Sequence, residues 1–167
     1  LMDALAEQRP IIFFFGGYKG TLDPYFDAIA NDQSVFGLSD GGAHCGVLCD
    51  ASVPTYMMSY VARDRKKTLP LELVVNRLTK NTASVYGLDD RGVIAPGYLA
   101  DLNIIDFKAI SLEPPEMVYD LPSKGKRLIQ KANGYIATIK RGEVTFEYGE
   151  ATGALPGKLL RGSASAN

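Results

Sequence analysis

The sequence predicts an α/β chain: a parallel strand–helix–strand unit, then a β-rich second part. Three observations carry this. "IIFFF" (11–15), bounded by Pro10 and Gly16-Gly17, is unbroken in its apolarity, as a strand buried on both faces is. A helical stretch and a second apolar run, "VFGLS" (35–39), follow it closely. From about Leu88 the helical period gives way to short alternating runs split by turn residues.

The elements follow in order. Residues 1–8 read as helix, with Leu1/Leu5 and Met2/Ala6 at i,i+4, ended by Arg9-Pro10. After the loop 16–20, Thr21 is placed to cap a helix over 22–30, with Pro24 in its first turn and Leu22, Phe26 and Ile29 on one side. A turn at 31–34 leads to the second strand, 35–39, and a glycine-rich loop. Ser52 is placed to cap a helix from Pro54 whose apolar side is Tyr56, Met57, Tyr60 and Val61. The next helix follows Thr68, with Leu71, Val74, Val75 and Leu78 at i, i+3, i+4, i+7. A third short helix, 82–86, stops at Gly87. "APG" (95–97) is a turn signal, "ADLNIID" (100–106) a strand, and 134–149 a hairpin turning at Arg141-Gly142. The domain division expected is 1–87, 88–162 and a tail, 163–167.

Composition bounds the function classes. With 167 residues, 46% of them hydrophobic, the chain can bury the core of one ordinary domain. A net charge of −1, with mixed signs along the chain, leaves no nucleic-acid footprint. No run reaches the length of a membrane span. Cys45 and Cys49 do not make a disulfide framework, so a reducing compartment, the cytoplasm, is expected. The start at Leu1, inside a helical pattern without a cap, predicts a fragment lacking its upstream part.

The chemistry-bearing stretch is "VFGLSDGGAHCG" (35–46). Asp40 follows the second strand directly, at the C-terminal end where parallel α/β sheets build their sites. It is a functional candidate, or a cap of the following turn. His44, the only histidine, would touch substrate or orient a metal ligand, or else bond to loop backbone. One histidine cannot build a multi-histidine metal site. Cys45 and Cys49, spaced C-x3-C, lack a matching second pair for structural zinc. They read as small buried cysteines, or Cys45 as a nucleophile beside His44. Lys19, with Tyr18 in the loop after the first strand, would meet an anionic group on the same face as Asp40, or be a solvated lysine. "RDRKK" (63–67) reads as a wet helix end.

Three segments carry a resemblance: "GLSDGGAHCG", "LPLELVVNRLTKNTASVYGLDDRGVIAPGYLADLNIID" and "NGYIATIKRGEVTFEYGEATGALPGKLLRG". They resemble the C-terminal third of amidohydrolase-superfamily enzymes, closest to the N-acyl-D-amino-acid deacylases (D-aminoacylases). "GVIAPGYLADL" marks the superfamily; "SDGGAH" and "TGALPGKLLRG" point to the deacylase branch. The resemblance implies the last two strands and helices of a (β/α)8 TIM-like barrel, with 11–15 as strand seven and 35–39 as strand eight, plus a small β-sandwich-type domain. It implies zinc as the cofactor and Asp40 as both metal ligand and catalytic group. Zinc would activate a water. Asp40 would accept its proton and hand it to the departing amine. The substrate implied is a small N-acyl amino acid, with His44 and Lys19 as substrate contacts.

The family's other ligands are absent, and a whole barrel takes about 250 residues. The expectation is therefore an inactive C-terminal fragment. Its open edge beside Phe13–Phe15 would be covered by a missing N-terminal barrel portion or a second copy. Two other functions compete: hydrolysis of a cyclic amide such as a hydantoin or dihydropyrimidine, and a non-catalytic assembly module.

Overall fold

A computed structural model describes residues 23–35 and 44–160. The expected helix 1–8, strand 11–15 and nearly all of strand 35–39 lie outside the described residues, as do Lys19 and Asp40. Val35, the described residue of that second strand, is irregular and exposed.

Helix α1 is Asp23–Ala30, close to the expected span, and buries Phe26. The turn after it forms as expected: Ser34 N donates to Asn31 O (3.1 Å) and Gln33 N to Asn31 Oδ1 (2.8 Å). A 3₁₀ turn, Asp50–Ser52, opens helix α2, residues 53–64, whose second part Met57–Asp64 is π-wound. Ser52 does not cap it. Its backbone is already helical and its hydroxyl donates back to Cys49 O at 3.3 Å. The apolar face also differs from the expected Tyr56, Met57, Tyr60 and Val61. Met57, Met58 and Val61 are buried, whereas Tyr60 is 40% exposed. The π winding re-phases the face: the closing bond runs five residues back, from Arg65 N to Tyr60 O.

Helix α3 occupies residues 71–85, starting after Pro70 and π-wound over Arg77–Asn81. It is one helix where the sequence suggested two. Val74 is fully buried and Leu78 packs on the core, but Val75 is 40% exposed. The expected stop is real. Gly87 takes φ +66°, its N–H reaches Ser84 O (3.2 Å), and Leu88 N reaches Ala83 O (2.9 Å). That pair of bonds is the Schellman closure, and a left-handed residue at its centre is why glycine stands there.

The β part has eight short strands. β1 (Leu102–Ile105), β6 (Tyr135–Lys140), β7 (Glu143–Glu147) and β8 (Glu150–Ala151) form one antiparallel sheet in the order β1-β6-β7-β8. β2 (Ser111–Leu112) pairs with β5 (Ala132–Asn133), and β3 (Glu116–Leu121) with β4 (Gly125–Ile129). Register follows the sequence pattern: Lys140 opposes Glu143 across Arg141-Gly142, both at positive φ, the twist-matched hairpin turn. The "APG" turn also forms, with Tyr98 N bonded to Ala95 O at 3.2 Å.

One apolar cluster draws on residues either side of position 87. Phe26, Met57, Met58, Val61 and Val74 join Ile110, with Ile105, Phe107 and Tyr135 packed against them. Each fully buried branched side chain, such as Val61, Val74 or Ile110, contributes roughly 2 kcal/mol over exposure. Polar ties fix the same interface. Thr55 Oγ1 and Tyr135 Oη lie 2.8 Å apart, and Arg63 Nη1 donates to Phe107 O (2.7 Å) and Lys108 O (3.1 Å). At Gly134 the chain passes so close to Ile110 that an added Cβ would lie 2.6 Å from its Cα and N. Only glycine fits there, and Gly134 O accepts from Asp106 N at 2.8 Å.

One arginine departs from the sequence reading, and a second is buried with it. Arg65, expected on a wet helix end, is buried: its guanidinium carbon lies 3.8 Å from the Phe26 ring centroid and Nη2 donates to Asp23 Oδ1 at 2.5 Å. Arg77 is buried too, donating to Asn31 O (3.0 Å) and Asp32 Oδ1 (2.9 Å). Both tie α1 to the helix pair through charge-assisted bonds, with long stems able to fill apolar space.

Candidate functional site

Of the three residues singled out in the sequence, His44 is the one described. It sits in a left-handed conformation, φ +55°, which histidine adopts more readily than most residues. Its carbonyl accepts from Val47 N (2.8 Å) and Leu48 N (3.0 Å), closing a tight turn over 44–47, and the residue is exposed. Asp40 and Lys19 fall outside the described residues.

The turn is anchored from the other side. Leu128 N, in β4, donates to Cys45 O at 2.6 Å, so the segment after the glycine-rich loop lies along the β3–β4 ribbon. Between them is an open cavity of about 250 Å³, whose lining includes Cys45, Cys49, Ser52, Arg127 and Gln130. Both cysteines are free thiols, half-buried where buried cysteines were expected. Arg127 stands at this cavity in a bidentate pair with Asp120, Nε to Oδ1 and Nη2 to Oδ2 each 2.7 Å. The Arg127 hydrogen bond holds the Asp120 carboxyl below its ordinary range. Asp120's hydrogen bond and charge raise Arg127, and Cys45 adds to that rise. Arg127 was not singled out in the sequence; its strand, GKRLI, carries no apolar alternation that would have marked it.

A second cavity, about 200 Å³, lies on the β6–β7 face between Tyr135, Phe146 and Tyr148. Its lining has no carboxylate, imidazole or thiol; its polar side chains are the Tyr135 and Tyr148 phenols and the Thr138 hydroxyl.

Zinc is tested directly by the donor set. Among the described residues no group of three or more histidine, cysteine or carboxylate side chains could hold a metal ion. Cys45 and Cys49 with exposed His44 do not make one, and the described residues do not fit a zinc centre by themselves.

The sequence model described as "Amidohydrolase family" matches residues 14–146. The chain belongs to the amidohydrolase family. No curated protein and no solved structure matches it. Membership places this amidohydrolase chain among hydrolases, in a family that usually binds metals. The match takes in Asp40, His44 and Lys19, and reaches through β6 into β7. Mixed helix and antiparallel sheet accord with it, and no described helix is long and apolar enough to cross a membrane.

Proposed function

We propose that this amidohydrolase chain serves the hydrolysis of linear amides in N-acyl-D-amino acids, as the C-terminal portion of a TIM-like barrel enzyme with its small β domain. The family match over 14–146 supports the hydrolase part of this reading, and it includes the stretch ending in Asp40. The motifs "SDGGAH" and "TGALPGKLLRG" favour the deacylase branch over cyclic-amide hydrolases. Asp40 is the proton-carrying carboxylate: it accepts a proton from the attacking water and delivers it to the departing amine nitrogen. His44 and Lys19 contact the substrate, Lys19 as the cation for an anionic group. Zinc is the cofactor in this reading. With one histidine in the sequence, most of its ligands come from polypeptide outside these 167 residues.

The test is a deacylation assay of the full gene product with zinc against paired N-acetyl-D- and N-acetyl-L-amino acids and a hydantoin. Release of free D-amino acid, with the L-series much slower, is expected. The 167-residue chain alone should release none. Preferential opening of the hydantoin, or turnover by the isolated chain, would refute the reading.

A further inference from the structure

We propose that Cys45 and Cys49 form a reversible redox pair, a peroxide-oxidisable dithiol at the cavity beneath β4. Neither the family match nor the amide chemistry assigns these residues a role. Both thiols are free, half-buried and on the lining of one cavity. The backbone between them doubles back, since Val47 N and Leu48 N both bond to His44 O. Ser52 Oγ, donating to Cys49 O, and Leu128 N, donating to Cys45 O, fix the two ends of the segment. A cavity of about 250 Å³ admits a peroxide, which is near a water molecule's share of about 30 Å³. Arg127 lines the same cavity, where its N–H groups can donate to a peroxide oxygen.

The chemistry balances with hydrogen peroxide as oxidant. The Cys45 sulfur attacks one peroxide oxygen, the O–O bond breaks, and hydroxide leaves and takes up the thiol proton as water. Cys45 is then a sulfenic acid. The Cys49 sulfur attacks the Cys45 sulfur, the S–O bond breaks, the S–S bond forms, and a second water departs. Two thiols lose two hydrogens, and the peroxide is reduced to two waters. A dithiol such as dithiothreitol reverses the change.

The experiment treats the full gene product with one equivalent of hydrogen peroxide and maps its peptides under non-reducing conditions. The peptide carrying residues 45 and 49 should become two hydrogens lighter and recover its mass with dithiothreitol. Cys49→Ser should instead leave a Cys45 sulfenic acid that dimedone captures. Arg127→Met should slow the oxidation about threefold, as loss of one hydrogen-bond donor to the peroxide does. Oxygen added separately to the two sulfurs, linkage only between molecules, or no oxidation would overturn the proposal. Circular dichroism matched to the parent keeps the Ser and Met variants interpretable. The outcome is independent of amide hydrolysis, because the readout is the mass of one peptide.

Discussion

Asp101 joins three donors at the hairpin tip: Lys140 Nζ at 2.5 Å, Arg91 Nη1 at 3.1 Å and the Arg141 backbone N–H at 2.9 Å. Burial opposes its charge, yet the Lys140 and Arg141 hydrogen bonds, with the charges of Lys140 and Arg91, outweigh burial and hold the carboxyl below its ordinary 3.8. A carboxyl lowered by folding stabilises the fold above its unfolded value, and that contribution is lost as pH falls through the lower folded value. Asp101→Asn is therefore expected to cost about 2 kcal/mol near neutrality, in the range for hydrogen bonds to charged groups. Urea titrations from pH 7 downward should show parent and variant converging below pH 3.8. A gap that holds constant with pH would remove the carboxylate from the account. Little of this was legible in the sequence. Asp101 reads as the start of a strand, and its partners lie ten and about forty positions away. Arg65 was misread for the same reason: a cation beside lysines looks solvated until Phe26 and Asp23 come to it.

At the scale of elements, legibility followed local chemistry. The β6–β7 hairpin, the "APG" turn and the Gly87 stop were each readable because a short run of residues sets the backbone geometry. The single helix α3 was not, because its continuity depends on π winding and on the Thr82 hydroxyl, which bonds to Arg77 O at 2.8 Å instead of opening a new helix. The β3–β4 ribbon was missed as well. Pro114-Pro115 and Pro122 look like breakers, and β3 is mostly exposed, so no buried alternation marks it. The two glycines with structural duties separate two kinds of cost. Gly87→Ala meets no atom within 4 Å, so only the left-handed backbone is penalised, by about 1 kcal/mol. Gly134→Ala drives a methyl into the Ile110 backbone and is expected to cost about 3 kcal/mol or more. Thermal melts of the two variants should rank in that order. Equal losses would show that the Gly134–Ile110 approach is not needed for the fold.

At the scale of the whole molecule, one core cluster holds the helices to the β part, and the amidohydrolase match spans both. The division between helical and β-rich parts near Leu88 was legible because hydrophobic period changes there. Their joining through Ile110 and Tyr135 was not, since those positions carry no helix partner in sequence. The candidate site was read from residue types around Asp40, which lies outside the described residues, and those described contain no metal-holding donor group. The central claim is that Asp40 carries the proton between water and amine. Its most direct test is kcat/KM for an N-acetyl-D-amino acid in the full gene product and its Asp40→Asn variant, at matched folding and zinc content. The account predicts a loss of about a thousandfold, the scale of general acid–base catalysis. Activity within a few-fold of the parent would contradict it.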